Sequence, residues 1–197
     1  MIRIALTGSI GMGKSTVAAM FEQRGIPLFD ADAQVRRLQG VGGALVEAIG
    51  ERFPGSVSDG VLDRDALSQR VLGDPGELAA LEAIVHPAVQ EARSKFIAEN
   101  RDRPALLFEI PLLYESGAES GFDTVIVVTA PAEEQRRRVL ERPGMSEGKL
   151  AAILARQLPD EEKRKRADFV IDTGGSLAET ERQVQQILAC LGLAAGE

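Results

Sequence analysis

Ile2-Arg3-Ile4-Ala5-Leu6-Thr7-Gly8-Ser9-Ile10-Gly11-Met12-Gly13-Lys14-Ser15 runs from a short apolar stretch into a glycine-rich turn that closes on Lys-Ser. Its last eight residues fit the phosphate-binding loop pattern G-x-x-x-x-G-K-[ST] at every fixed position. The six residues before the loop read as a buried strand and residues 15–23 as a helix, which is the context the pattern requires. Loop amides can wrap a polyphosphate only where side chains do not obstruct them, and the glycines meet that need. The following helix offers unpaired N–H groups and the positive end of its dipole to the same anion. This chemistry predicts that Gly11, Met12, Gly13, Lys14, Ser15 and Thr16 bind ATP. Lys14 meets the β- and γ-phosphates, Ser15 is a ligand of a magnesium ion carried with the ATP phosphates, and Thr16 contacts the α-phosphate.

Outward from the loop, apolar runs alternate with helix-compatible stretches. Residues 26–29 read as a second short strand, and 105–110, 124–129 and 169–171 as three more, each of these three followed by turn residues and a helical pattern. Continuous apolar strands interleaved with helices predict a parallel sheet covered on both faces. The expected fold is therefore α/β, a P-loop NTPase/kinase domain over residues 1–197 with a five-stranded parallel sheet flanked by helices. Roughly 70 residues, about 31–103, hold no convincing strand and read as helical at 44–53, 64–72 and 78–96, with turns at 40–43 and 55–60. That is too long for one crossover helix. By analogy with small-molecule kinases it is an acceptor-binding insertion.

Hydrophobic residues make up 44% of the chain, enough for a sizeable core, but aromatics are 4% and Trp is absent, so aliphatic side chains must fill it. The formal charge of −7 argues against holding nucleic acid by bulk electrostatics. The single cysteine, Cys190, excludes an intrachain disulfide and a cysteine-based metal site, and its apolar neighbours predict burial. The N-terminus shows no signal-peptide pattern, and no apolar run approaches the ~20 residues of a membrane span. The expectation is a cytoplasmic protein with no membrane association and no evident obligate protein partner. A regulatory GTPase would need an N-K-x-D segment, whereas the one asparagine, Asn100, precedes Arg-Asp. No L-S-G-G-Q-like segment of a transporter ATPase is present. A kinase for a small acceptor survives these tests best. A non-catalytic nucleotide-binding switch is the alternative from another class.

Asp30 and Asp32 lie where the second strand meets its helix, and either can cap that helix or serve chemistry, with Asp30 favoured for the cap. His86, the only histidine, stands before Pro87, which predicts a helix boundary there. Arg64 can meet phosphates or face solvent. Arg138 and Arg142 are four apart and share a face, Arg136 and Arg137 read as solvated, and the charged run 161–166 reads as an exposed helix.

Six segments between residues 5 and 175 resemble dephospho-coenzyme A kinase. They are the loop with Ala5-Leu6-Thr7 before it, Asp30-Ala31-Asp32, Leu62-Asp63-Arg64 with Ile84-Val85-His86-Pro87, Phe108-Glu109-Ile110-Pro111-Leu112-Leu113-Tyr114-Glu115, the helix carrying Gln135, Arg138 and Arg142, and Asp168-Phe169-Val170-Ile171-Asp172-Thr173-Gly174-Gly175. The resemblance implies transfer of the γ-phosphate of ATP, with Mg2+, to the ribose 3′-hydroxyl of dephospho-coenzyme A, the last step of coenzyme A synthesis. Another small-molecule kinase, for a nucleoside or nucleotide, is the nearest alternative. The resemblance further implies catalytic roles for Asp32 as general base, Lys14 and Arg142. It implies acceptor contacts at Thr7, Asp32, Arg64, His86, Pro111 and Leu112, and a lid over about residues 131–166 closing through Arg138 and Arg142. The last segment implies an adenine-side loop. Glu109 stands where the family often has Asp, and Pro143-Gly144 follows Arg142 where the family often has Asp. These departures bear on the magnesium shell and on the lid's turn.

Overall fold

The computed structural model describes residues 1–193. In chain order its elements are β1 (Ile2–Thr7), α1 (Lys14–Glu22), β2 (Leu28–Asp30), α2 (Ala31–Leu38), α3 (Val46–Arg52), β3 (Val57–Ser58), β4 (Val61–Leu62), α4 (Arg64–Val71) and α5 (Pro75–Glu99). There follow β5 (Ala105–Glu109), a 3-10 turn at Glu119–Gly121, β6 (Thr124–Thr129), α6 (Ala132–Leu140), α7 (Glu147–Leu154), α8 (Asp160–Arg166), β7 (Phe169–Asp172) and α9 (Leu177–Cys190). The chain divides into two compact units, one of residues 30–99 and one built from the segments on either side.

The flanking segments build a five-stranded parallel sheet in the order β2-β5-β1-β6-β7. Apolar residues at successive positions bury both faces, because side chains alternate across a strand. Ile4 and Leu6 of β1 and Ile126 and Val128 of β6 pack with Val17 and Phe21 of α1 and Val184, Ile187 and Leu188 of α9. Ala5, Val125 and Val127 pack on the opposite face with Leu113 and Tyr114. Phe108 extends that face, its ring centroid 5.9 Å from Phe29 and 5.4 Å from Phe122.

The second unit closes its own core on Leu45, Ile49, Phe53, Leu62, Leu67 and Val71, with Leu81, Ile84 and Val85 of α5 against it. Within it, β3 and β4 pair as a small antiparallel hairpin. The Asp59-Gly60 pair between them is the residue type that two-residue hairpin loops favour, a signal outweighed in the sequence by the surrounding helical pattern.

Three expectations are corrected. α5 runs without a break through His86 and Pro87. The proline withholds one N–H, but the apolar packing of Leu81, Ile84, Val85 and Ala88 spans that point and outweighs the loss. Cys190 is exposed. At about 100° per residue it falls more than a quarter turn from the middle of the buried stripe of Thr180, Val184, Ile187 and Leu188. Lys163, inside the charged run of α8, is 0% exposed and ion-paired at 2.8 Å to Glu115, whose side chain is 17% exposed. Among the described residues, no helix is long and apolar enough to cross a membrane.

The Glu115–Lys163 pair joins the segment after β5 to α8, and Glu115 also accepts the Leu158 N–H at 2.7 Å. Burial alone would raise the Glu115 carboxyl, but the Lys163 ammonium and the Leu158 N–H outweigh it and hold it below its ordinary value. Replacing Glu115 with alanine leaves a buried ammonium without its counter-charge. The expected cost is about 3 kcal/mol, or roughly 6–12 °C in Tm for a domain of this size. A lowered carboxylate contributes stability in full above its unfolded value and loses it as pH falls through the folded value. Thermal melts of wild type and Glu115→Ala should therefore differ most near neutrality and converge as pH drops below the ordinary 4.5.

Candidate active site

At the end of β1 the chain turns at Gly8, where an added Cβ would lie 2.3 Å from the Val128 carbonyl oxygen. No side chain fits, so β1 and β6 stay adjacent to their carboxyl ends and the loop starts from a fixed point. Met12 then buries its side chain, 3% exposed, in the core beneath the loop. Gly13 caps α1, its carbonyl accepting the Thr16 and Val17 N–H groups at 3.1 and 3.2 Å. Ser15 and Thr16 are exposed in the first turn. The Lys14 ammonium lies over the loop and donates to the Gly8 and Ser9 carbonyls at 2.9 and 3.4 Å.

Two further elements grip the loop. The Thr173 hydroxyl, one residue past β7, donates to the Met12 carbonyl at 2.9 Å, with the Thr129 carbonyl at 3.2 Å as its alternative acceptor. Arg138 of α6 donates through Nη1 to that hydroxyl at 2.9 Å and through Nη2 to the Thr173 carbonyl at 2.7 Å. Its Nε donates to Glu134 at 3.1 Å. Hydrogen bonding from Arg137, reinforced by Arg138, holds the Glu134 carboxyl below its ordinary value, so it stays ionised as their anchor. Ile10 is bracketed by two glutamines: Gln135 donates to its carbonyl at 2.7 Å and its N–H donates to Gln157 at 3.2 Å. A cleft of about 430 Å³ opens beside these groups, lined by Gly11, Gly13, Thr16, Arg138, Arg142 and Thr173.

α6 stops at Leu140, so Arg142 is not on the helix, yet it lines the same cleft as Arg138. The Met145 N–H bonds the Arg142 carbonyl at 3.2 Å and Gly144 has φ +75°, the arrangement of a type II turn with Pro143 at its first corner. Arg142 is exposed, and Arg136 and Arg137 are exposed in ion pairs with Glu147 and with Glu134 and Glu141.

The other expected site residues divide between the two units. On the sheet unit, the buried Thr7 hydroxyl donates to the Pro111 carbonyl at 3.4 Å, joining the carboxyl ends of β1 and β5. Leu112 beside it is 46% exposed, and Glu109, the last residue of β5, is buried. On the helical unit, Asp30 caps α2, accepting the Ala33 N–H at 2.8 Å. Asp32 is exposed in the first turn of α2, and among the described residues no hydrogen bond or ion pair holds its side chain. Arg64 opens α4, after its cap Asp63, and donates to the Arg36 carbonyl at 3.3 Å. His86 is exposed on α5. Sequence reasoning missed Gln157 as a loop contact, because a single glutamine between helices carries no pattern. For Thr173 the only signal was its position after the last strand.

A family model described as dephospho-CoA kinase matches residues 2–179. A dephospho-CoA kinase of Novosphingobium aromaticivorans is 53% identical over 188 residues, covering 95% of this chain and 94% of its own. One of Mesorhizobium japonicum is 54% identical over 191 residues, with 95% of each chain covered. The crystal structure of a Thermus thermophilus protein superposes with a TM-score of 0.86 at 42% identity, covering 96% of this chain and 97% of that one.

Thr173→Val keeps the side chain's shape but removes the hydroxyl that links Met12, Thr129 and Arg138. The expected result is a rise of about tenfold in KM for the nucleotide, the scale of one or two lost hydrogen bonds. Steady-state rates at varied nucleotide concentration check it.

Proposed function

This chain belongs to the dephospho-CoA kinase family, and on that premise we propose that Lys14, Asp32, Arg138 and Arg142 are the side chains that carry its phosphoryl transfer. The reaction is phosphorylation of dephospho-CoA by ATP at the ribose 3′-hydroxyl, giving CoA and ADP, the final step of CoA biosynthesis. The transferring phosphoryl group passes through a loose transition state, so the protein's task is positioning and charge stabilisation. The loop amides from Gly11 to Thr16 cradle the phosphates, and the Lys14 ammonium moves from the loop carbonyls to the β- and γ-oxygens. Arg138 borders the nucleotide from its Thr173 anchor, and Arg142, on its turn, meets the charge that develops on the phosphoryl oxygens. Residues 131–166 act as the lid that carries both arginines. Residues 30–99 hold the acceptor, and Thr7, Arg64, His86, Pro111 and Leu112 contact it. The reading includes a cytoplasmic location.

Magnesium suits the donors present, because it prefers hard oxygen ligands and keeps part of its water shell. The exposed Ser15 hydroxyl would be its protein ligand, and Glu109 would contact its waters. The ion, when bound, supplies charge neutralisation on the phosphates.

The observation that supports Asp32 as the general base is the division of labour at the end of β2. Asp30 takes the capping bond to Ala33, and the neighbouring carboxylate stays exposed with both oxygens available to a hydroxyl proton. Asp32→Asn retains shape and hydrogen-bonding reach but cannot accept the proton. The expected loss in kcat is about 10²-fold or more, with KM for ATP nearly constant. Wild-type kcat in a folded Asp32→Asn enzyme, measured by ADP release with dephospho-CoA, overturns the assignment.

Lys14→Ala should fold normally and lose most turnover, because the cation at the β/γ-phosphates is gone. Near-normal kcat/KM in that variant counts against the loop's role.

A further inference from the structure

Arg36 lies outside the six segments quoted for the resemblance, yet its place on α2 is distinctive. It stands four residues after Asp32, so the two share one helix face about one turn, ~6 Å, apart. Its guanidinium lies 3.5 Å from the Asp30 carboxylate, and its backbone carbonyl accepts the Arg64 guanidinium at 3.3 Å. The next residue is engaged differently: Arg37 donates to Gln34 through Nε at 3.1 Å and Nη2 at 2.8 Å. Two arginines and the carboxylate assigned to proton transfer therefore gather at one end of the helical unit.

The Arg36–Asp30 contact leaves Arg36 available. The Arg36 side chain is 57% exposed, and an exposed ion pair of this length is worth less than about 1 kcal/mol. Asp30 already spends one oxygen on the Ala33 N–H. The contact orients the guanidinium without neutralising it. A diphosphate, with two anionic phosphoryl groups, is the stronger partner for a guanidinium fork.

Dephospho-CoA presents a hydroxyl and a diphosphate on the same ribose, at its 3′ and 5′ positions. One helical turn between Asp32 and Arg36 is about the breadth of that sugar. We infer that Arg36, together with Arg64, binds the diphosphate of the acceptor and so selects a ribose whose 3′-hydroxyl meets Asp32. The inference rests on the acceptor assignment above. It adds a specificity-determining residue that acts on acceptor binding, while Asp32 acts on the chemical step.

The test compares wild type, Arg36→Ala, Arg36→Lys and Arg37→Ala by calorimetric titration with dephospho-CoA and by steady-state kinetics. In Arg36→Ala the Kd and KM for dephospho-CoA should rise about 10- to 100-fold, the loss expected for a charge-assisted contact. KM for ATP, kcat at saturating acceptor and Tm should stay close to wild type. The salt dependence of acceptor binding should flatten, because a charge pair has gone. Arg36→Lys should recover part of the affinity, and Arg37→Ala should match wild type. Unchanged acceptor affinity in Arg36→Ala overturns the inference. So does a loss of kcat and Tm without a change in salt dependence, which marks Arg36 as a support for the Asp30 cap. Failure of wild type to turn over dephospho-CoA would instead remove the acceptor assignment itself.

Discussion

Where β1 meets the phosphate loop there is no room for a side chain, and much of the sheet unit is arranged around that close approach. Gly8 passes against the Val128 carbonyl of β6. The strand before it is buried on both faces, so it cannot shift to relieve a clash. The loop is therefore launched from an immovable edge. Met12 anchors it from below, and the Thr173 hydroxyl and two glutamines hold it from the sides. For a loop proposed to bind phosphate with its amides, the protein thus holds the surrounding backbone in place. Preorganisation of this kind lowers the ordering cost when nucleotide arrives.

Arg138 illustrates how one side chain in the cleft lining is held by two elements. Glu134 is kept ionised by its arginine neighbours and holds Arg138 from its own helix, while Thr173 holds it from the last strand. Its reach into the cleft is thereby set by two elements far apart in sequence. Arg142 is carried by a turn rather than a helix, and Pro143-Gly144 gives that turn a defined geometry. A fixed arginine and an arginine on a turn border one cleft. The pair of buried Lys163 with Glu115 plays a related part, tying the segment after β5 to α8.

The helical unit is economical in a different way. Asp30 ends a strand, caps a helix and orients Arg36, all with one carboxylate. Because it meets the structural demand, Asp32 two residues later is released from it. α5 crosses Pro87 because four apolar side chains hold the helix on either side of the missing hydrogen bond.

The local features were legible in the sequence because they depend on local rules. The strands β1 and β6, the loop, the first helix, the Asp30 cap and the parallel α/β class follow from alternation, glycine placement and capping chemistry within a few residues of each site. The family resemblance added the acceptor. The tertiary structure decided what those rules do not encode: that Lys163 in a charged run is buried, that Cys190 in an apolar run is exposed, and that Thr173 and Gln157 hold the loop. In each case a residue's role is set by a partner more than 40 positions away or by the face its helix turns inward. A one-dimensional pattern carries the propensity of a segment. Only packing chooses which segment lies opposite.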